Sequence, residues 1–173
     1  MTDTILKSEY RSVIHKWIKK IKRRDSAPAN KREAAKTGLN LPFEEVGCGS
    51  RRIVYDLGNG YILKVAIIRQ GIVSCQKETD IYERVPLPLK QNLAEIKEYG
   101  EGWIVMKKFG RMLADTAENR RKVYQLYKEF KKLDIEAGDI INMKNKEPRW
   151  HNIRYKKRND RIMLIDYGDF HVK

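Results

Sequence analysis

At Phe43 the hydrophobic period of this chain changes from that of a helix to that of a strand, and Gly58-Asn59-Gly60 soon follows between two β-rich runs. Before the change, Leu6, Tyr10, Val13, Ile14, Trp17, Ile18 and Ile21 recur at helical spacing, which predicts one amphipathic helix over residues 4–24 with a basic back. Asp25-Ser26-Ala27-Pro28-Ala29-Asn30 breaks that helix, and residues 31–36 predict a short second one ending at Gly38. After the change, Ile53-Val54-Tyr55 and Tyr61-Ile62-Leu63-Lys64-Val65-Ala66 read as the arms of a hairpin, because Asn-Gly tolerates the positive φ of a tight turn.

Downstream, residues 76–85 predict a short helix stopped by Pro86 and Pro88. Strands follow at 94–99 and 103–107 across Gly100-Glu101-Gly102. A long helix at 116–136 carries Val123, Leu126, Tyr127, Phe130 and Leu133 on one side. A last strand pair, 153–155 and 162–165, runs into Asp166-Tyr167-Gly168-Asp169-Phe170. The order is helices, a mostly antiparallel sheet interrupted by one helix, then a long helix and a β-hairpin. This is an α+β pattern without internal repeats.

Charge narrows the partners. The 173 residues carry a net charge of +14, and residues 1–40 hold 11 positive against 4 negative residues, half of the total. Such an excess attracts phosphates, nucleic acid or an acidic partner protein. Cys48 and Cys75 stand in no metal-ligand or disulfide spacing, which points to a reducing compartment. No run is long and apolar enough for a membrane span and the N-terminus lacks a signal-peptide core, so the expected location is cytoplasmic.

Four constellations bear on chemistry, and each has a plain structural reading beside it. Val46-Gly47-Cys48-Gly49-Ser50 is a glycine-rich turn between strands, either a tight turn or a place where backbone N–H groups approach phosphate. Lys64 stands alone in an apolar strand, as an edge gatekeeper or a phosphate ligand held by a carboxylate. Glu78 or Glu83, on the following helix, is a solvated charge or the partner of that lysine. Asp166 is released from an apolar strand into a glycine turn, as a cap or a metal-binding carboxylate, and Asn152 offers a neutral oxygen upstream.

Taken in order, these motifs resemble the protein-kinase-like superfamily, and in particular the small, truncated kinase-like proteins of bacteria and phages. Gly47-x-Gly49-Ser50 with Val54 is similar to the nucleotide-covering loop, Lys64 to the strand-three lysine, and Asp166-Tyr167-Gly168 to the metal motif with Asn152 as its companion. The resemblance spans residues 43–170. It implies a minimal kinase-like fold with an N-terminal helical extension at 1–40, an N-lobe at 41–110 holding an antiparallel sheet and one helix, and a reduced C-lobe at 111–173. It further implies ATP and Mg²⁺ as cofactors, with Asn152 and Asp166 on the metal. Lys64, paired with Glu78 or Glu83, would hold phosphate, and Val54 and Ile62 would roof the base over Ile153 or Tyr155. Met106 would guard the back pocket, and the backbone of residues 107–109, Lys108 at its centre, would serve adenine.

The sequence departs from that family at three places. Arg52 replaces the third loop glycine. The catalytic carboxylate has two claimants, Glu147 at the family spacing from Asn152, and Asp139 in Gly138-Asp139-Ile140, followed by an insertion. His151 is a further base by chemistry, but beside Asn152 it reads as outward-facing or structural. Only five residues follow Gly168, so a substrate platform is expected to come from the basic helices, another chain or the tail. The expected function is a minimal ATP-dependent phosphotransferase acting on a protein or small-molecule hydroxyl. The alternative is a weak or inactive pseudokinase scaffold whose basic helices bind nucleic acid or an acidic protein. The spacing Leu6, Tyr10, Val13, Trp17 also permits a homodimer seam.

Overall fold

The computed structural model describes residues 4–172. In chain order its elements are α1 (Ser8–Arg23), α2 (Lys31–Leu39), β1 (Glu44–Cys48), β2 (Arg52–Asp56), β3 (Tyr61–Ala66), α3 (Arg69–Arg84), α4 (Leu87–Lys90), β4 (Ile96–Gly100), β5 (Trp103–Lys107), α5 (Ala117–Lys132), β6 (Ile135–Ala137), β7 (Ile153–Lys156), β8 (Arg161–Leu164) and β9 (Phe170–Val172). The protein is therefore mixed α+β, with five helices among the described residues and a five-stranded antiparallel sheet ordered β1-β2-β3-β5-β4. It divides into two compact units, Met1–Gln76 with Ile96–Lys108, and Lys77–Glu95 with Phe109–Lys173.

In the first unit the apolar stripe of α1 meets the sheet. Ile14, Trp17, Ile18 and Ile21 join Ile53, Leu63, Val65 and Val105 in one core, each such side chain stabilising the fold by roughly 1.5–3 kcal/mol. Trp17 is fixed in direction as well, since its Nε1–H donates to the Ala66 carbonyl at 2.9 Å. The stripe expected to permit a homodimer is thus committed within the chain: Leu6 and Trp17 are buried, and Tyr10 packs edge-on against Phe43 at 4.9 Å. Glycine is required where α1 presses closest. A Cβ on Gly38 would lie 2.5 Å from the Trp17 ring. That residue does not stop α2, which continues to Leu39 and ends at Asn40 in the left-handed region, φ 41°.

The hairpin forms as its turn residues dictate. Gly58 and Gly60 take φ of 72° and 86°, and the Leu57 N–H reaches the Tyr61 carbonyl at 3.0 Å. Lys64 lies on the middle strand of the sheet, facing Val54 on one side and Ile104 on the other. An edge-gatekeeper role is thereby excluded, because both edges of its strand are paired.

In the second unit α5 buries Val123, Leu126 and Phe130. It ends at Lys132, earlier than the helical period suggests, where Asp134 turns the chain at φ 57° and β6 pairs with β9. β7 and β8 form the expected antiparallel hairpin. The helix expected at 76–85 begins at Arg69, and its second half, with the second unit's residues, carries Glu78.

Candidate functional site

Strand β8 is held on two sides before it delivers its acid. It pairs with β7, and on the other flank Leu164 N–H donates to Asn92 O at 2.7 Å while Ala94 N–H donates to Leu164 O at 2.8 Å. Beyond β8 the chain is pinned residue by residue. Ile165 N–H donates to Asn152 O at 3.0 Å, and the buried Tyr167 ring donates its hydroxyl to Ala94 O at 2.8 Å. Tyr167 N–H donates to Glu78 Oε1 at 3.1 Å, and Phe170 packs edge-on against Phe130 at 5.2 Å. Asp166 therefore sits on a short segment fixed at both ends.

Asp139 meets that segment from the other direction. Its Oδ2 accepts from Asp169 N–H at 2.7 Å, and its own carbonyl accepts from Asn152 Nδ2 at 3.1 Å. The close approach of the two loops needs a small residue beside it, since a Cβ on Gly138 would stand 3.2 Å from the Asp169 carbonyl. Only 8% exposed, the Asp139 carboxyl is pushed up to about 7 by burial first, and then by the negative charges of Asp166, Asp169 and Glu78, against the lowering hydrogen bond from Asp169 N–H. A carboxyl held near neutrality beside other acids is suited to accept and release a proton.

The rival carboxylate stands elsewhere in its chemistry. Glu147 is exposed and engaged by Arg120, whose guanidinium also holds Asp115 and lies over the Trp150 ring. Asp139 and Asn152 are thus brought together, with Asp166 acting on Asp139 electrostatically, while the Glu147 carboxylate is tied to a surface arginine. His151 is exposed, and so is Glu83, whereas Glu78 is fully buried.

In the first unit, Lys64 is 4% exposed and Met106, opposite Ile62, is fully buried, while Val54 and Ile62 are half-buried. Gly47 sits at a β-bulge in β1, Gly49 N–H donates to Arg52 O at 2.9 Å, and Ser50 is exposed. A Cβ at Gly47 or Gly49 would meet nothing nearer than 3.9 Å, and neither has a positive φ, so the fold itself does not demand glycine there. The Lys108 side chain pairs with Asp56, and its backbone N–H, at the centre of the 107–109 segment expected to serve adenine, is engaged by the Gly60 carbonyl at 3.0 Å.

Among the described residues no three His, Cys, Asp or Glu side chains are grouped to hold a metal ion. Magnesium, however, binds through one or two protein oxygens plus substrate phosphates rather than through an all-protein cage. Of the two residues expected on the metal, Asn152 has its Nδ2 anchored on the Asp139 carbonyl, which leaves Oδ1 as the end of the amide not engaged there. The anchoring by Tyr167 and Gly138 escaped sequence reasoning, because its partners, Ala94 and Asp169, lie 73 and 31 positions away in the chain. The hydroxyl of an aromatic residue following a strand-end acid was the available signal. No family model matches the chain, and a comparison with curated proteins found no match.

Proposed function

We propose that this chain is a minimal kinase-like, ATP-dependent phosphotransferase acting on a protein or small-molecule hydroxyl, with Asp139 as its proton-accepting carboxylate. The observation that carries this reading is the joint anchoring of Asp139, on Asp169 N–H through its side chain and on Asn152 through its carbonyl, beside Asp166. Two supports come from the first unit: a lysine buried in a central strand, and two glycines, Gly47 in β1 and Gly49 in the turn after it, that the fold does not need. In this reading Lys64 binds the phosphates of ATP, Asp139 orients the acceptor hydroxyl and takes its proton, and the Asn152 amide is kept oxygen-outward by its bond to Asp139. Magnesium, bound by Asn152 and Asp166, would neutralise charge on the phosphates.

The test is transfer of label from γ-labelled ATP, including to the chain itself, by wild type, Asp139→Ala and Glu147→Ala. The expected result is a loss of 100-fold or more, on the order of a missing general base, for Asp139→Ala and near-normal transfer for Glu147→Ala. The reverse pattern would transfer the role to Glu147. A scaffold reading is favoured by a separate observation: with its stripe buried, α1 turns Lys16, Lys19, Lys20, Lys22 and Arg23 to solvent, an exposed basic face apt for an acidic partner or nucleic acid. Mg-ATP binding without transfer to any acceptor would favour that reading.

A further inference from the structure

One cavity of the first unit is lined by donors that neither the sheet nor the phosphotransferase reading uses. It lies between the α1–α2 connection and the start of α3, has a volume of about 270 Å³, and is bounded by Arg24, Asp25, Ser26, Pro28, Arg69 and Gln70 among others. That volume falls just under the range of pockets that enclose whole small-molecule ligands, and it suits a compact charged group.

Three observations agree on the sign of that charge. The Arg24 guanidinium lies over the Trp17 ring, 5.4 Å from its centre, and its Nη1 is buried with no acceptor among the described residues. A buried donor left without an acceptor is costly, and more so on a charged group, so the position calls for an anion. Arg69, across the cavity, is held in place by donating to the Lys22 carbonyl at 2.6 Å and adds a second positive charge. Finally, α3 begins here, sixteen residues long, with no acidic side chain in its first turn to balance the positive end of its dipole. Asp25 is the only carboxylate on the lining; it is exposed and makes no ion pair with Arg24.

We propose that this cavity binds a phosphate group, with Arg24 Nη1, the Arg69 guanidinium and the Arg69 and Gln70 N–H groups at the start of α3 as its donors, the Gly71 N–H being taken by the Ile68 carbonyl. The phosphate belongs either to a small molecule that ends in one or to a nucleic-acid backbone drawn in by the basic face of α1. The site is independent of the proposed nucleotide chemistry, which assigns none of these residues.

The test titrates the full chain with inorganic phosphate against chloride at matched ionic strength, read by amide NMR shifts. Saturable shifts concentrated at residues 24–27 and 68–71 are expected, unchanged in Lys64→Ala, which separates this site from the nucleotide reading. Arg24→Lys keeps the charge and the ring contact but loses the planar fork, and is expected to weaken binding at least tenfold. Gln70→Glu is the variant that misfolding cannot explain. An acid at an uncompensated helix start raises the melting temperature without phosphate, while abolishing the phosphate shifts. Shifts spread along α1, or binding that survives Gln70→Glu, would overturn the proposal. In a second arm, a short single-stranded RNA that displaces phosphate and moves the same amides identifies the backbone as the source, and an RNA that leaves them unmoved identifies a terminal phosphate.

Discussion

Trp17 in the first unit and Asp139 in the second are both nearly inaccessible, 2% and 8% exposed, yet burial stabilises the one and penalises the other. Around Trp17 the surroundings are apolar side chains of α1, β2, β3 and β5, and the single polar atom of the ring finds a carbonyl. Around Asp139 they are three other acids and a backbone N–H, with Asp166 and Asp169 brought by the segment after β8 and Glu78 by α3. A fold selected only for stability would not collect acids in this way. The contrast separates a region that holds the chain together from one that is maintained at a cost, as sites of chemistry are.

The largest test of this contrast is Trp17→Ala. Removing the ring leaves a cavity and an unpaired Ala66 carbonyl, and denaturant unfolding should show a loss of about 3–5 kcal/mol. A loss under ~1 kcal/mol would mean that α1 is an ornament on the sheet rather than part of its core.

The mirror-image test is Asp139→Asn, which should stabilise. The carboxyl takes up its proton at about 7 in the folded chain and near 3.8 in the unfolded one. Between those values the folded chain binds more protons, so stability falls as pH rises from 3.8 to about 7 and is level above. Asparagine keeps an oxygen for Asp169 N–H and removes the charge. Its gain, with a ceiling on the order of 4 kcal/mol at high pH, should shrink as the pH is lowered through that window. A substitution that destabilises at every pH would show that Asp139 is a structural acid, and the comparison would collapse.

Gly38→Ala sharpens the packing side. Helix propensity alone predicts a gain of about 0.5–1 kcal/mol, whereas the contact with the Trp17 ring predicts a loss of about 1–3 kcal/mol, and a thermal melt decides the sign. The smallest effect is expected from Asn30→Ala, which removes the cap that accepts Glu33 N–H at 3.3 Å. A loss of roughly 0.5–1 kcal/mol there would place α2 as a docked helix whose local signals contribute little beside its packing.

What was legible in the residues follows the same division. The α1 stripe, the 58–60 turn, the paired strands at 103–107 and 153–165, and the segregation of charge all come from patterns confined to a few turns of chain, and the structure has each of them. Element ends were less legible. Gly38 looks like a helix stop, but tertiary contact with Trp17 is its reason. Residues 133–136 continue a helical period, but they leave the helix because Ile135–Ala137 finds a partner in Phe170–Val172, some thirty-five positions on. The choice between Asp139 and Glu147 was invisible for a similar reason. Spacing from Asn152 favours Glu147, while the hydrogen bond between Asn152 and the Asp139 carbonyl exists only once the insertion between them folds back.

By itself, then, the sequence determined the local alphabet: the longer helices and the paired strands of the two hairpins, that the chain is α+β, that residues 1–40 are basic, and which ionisable residues stand at strand ends. Period, turn chemistry and charge act over neighbours in the chain, so neighbours suffice to read them. Only the tertiary structure decided that β3 is a central strand, that the α1 stripe is used up within the chain, that Asp139 rather than Glu147 joins Asn152, and that the Nη1 of a half-buried Arg24 is left without an acceptor. Each of these depends on groups far apart in sequence sharing a low-dielectric space, where burial and the nearest charge set a side chain's properties.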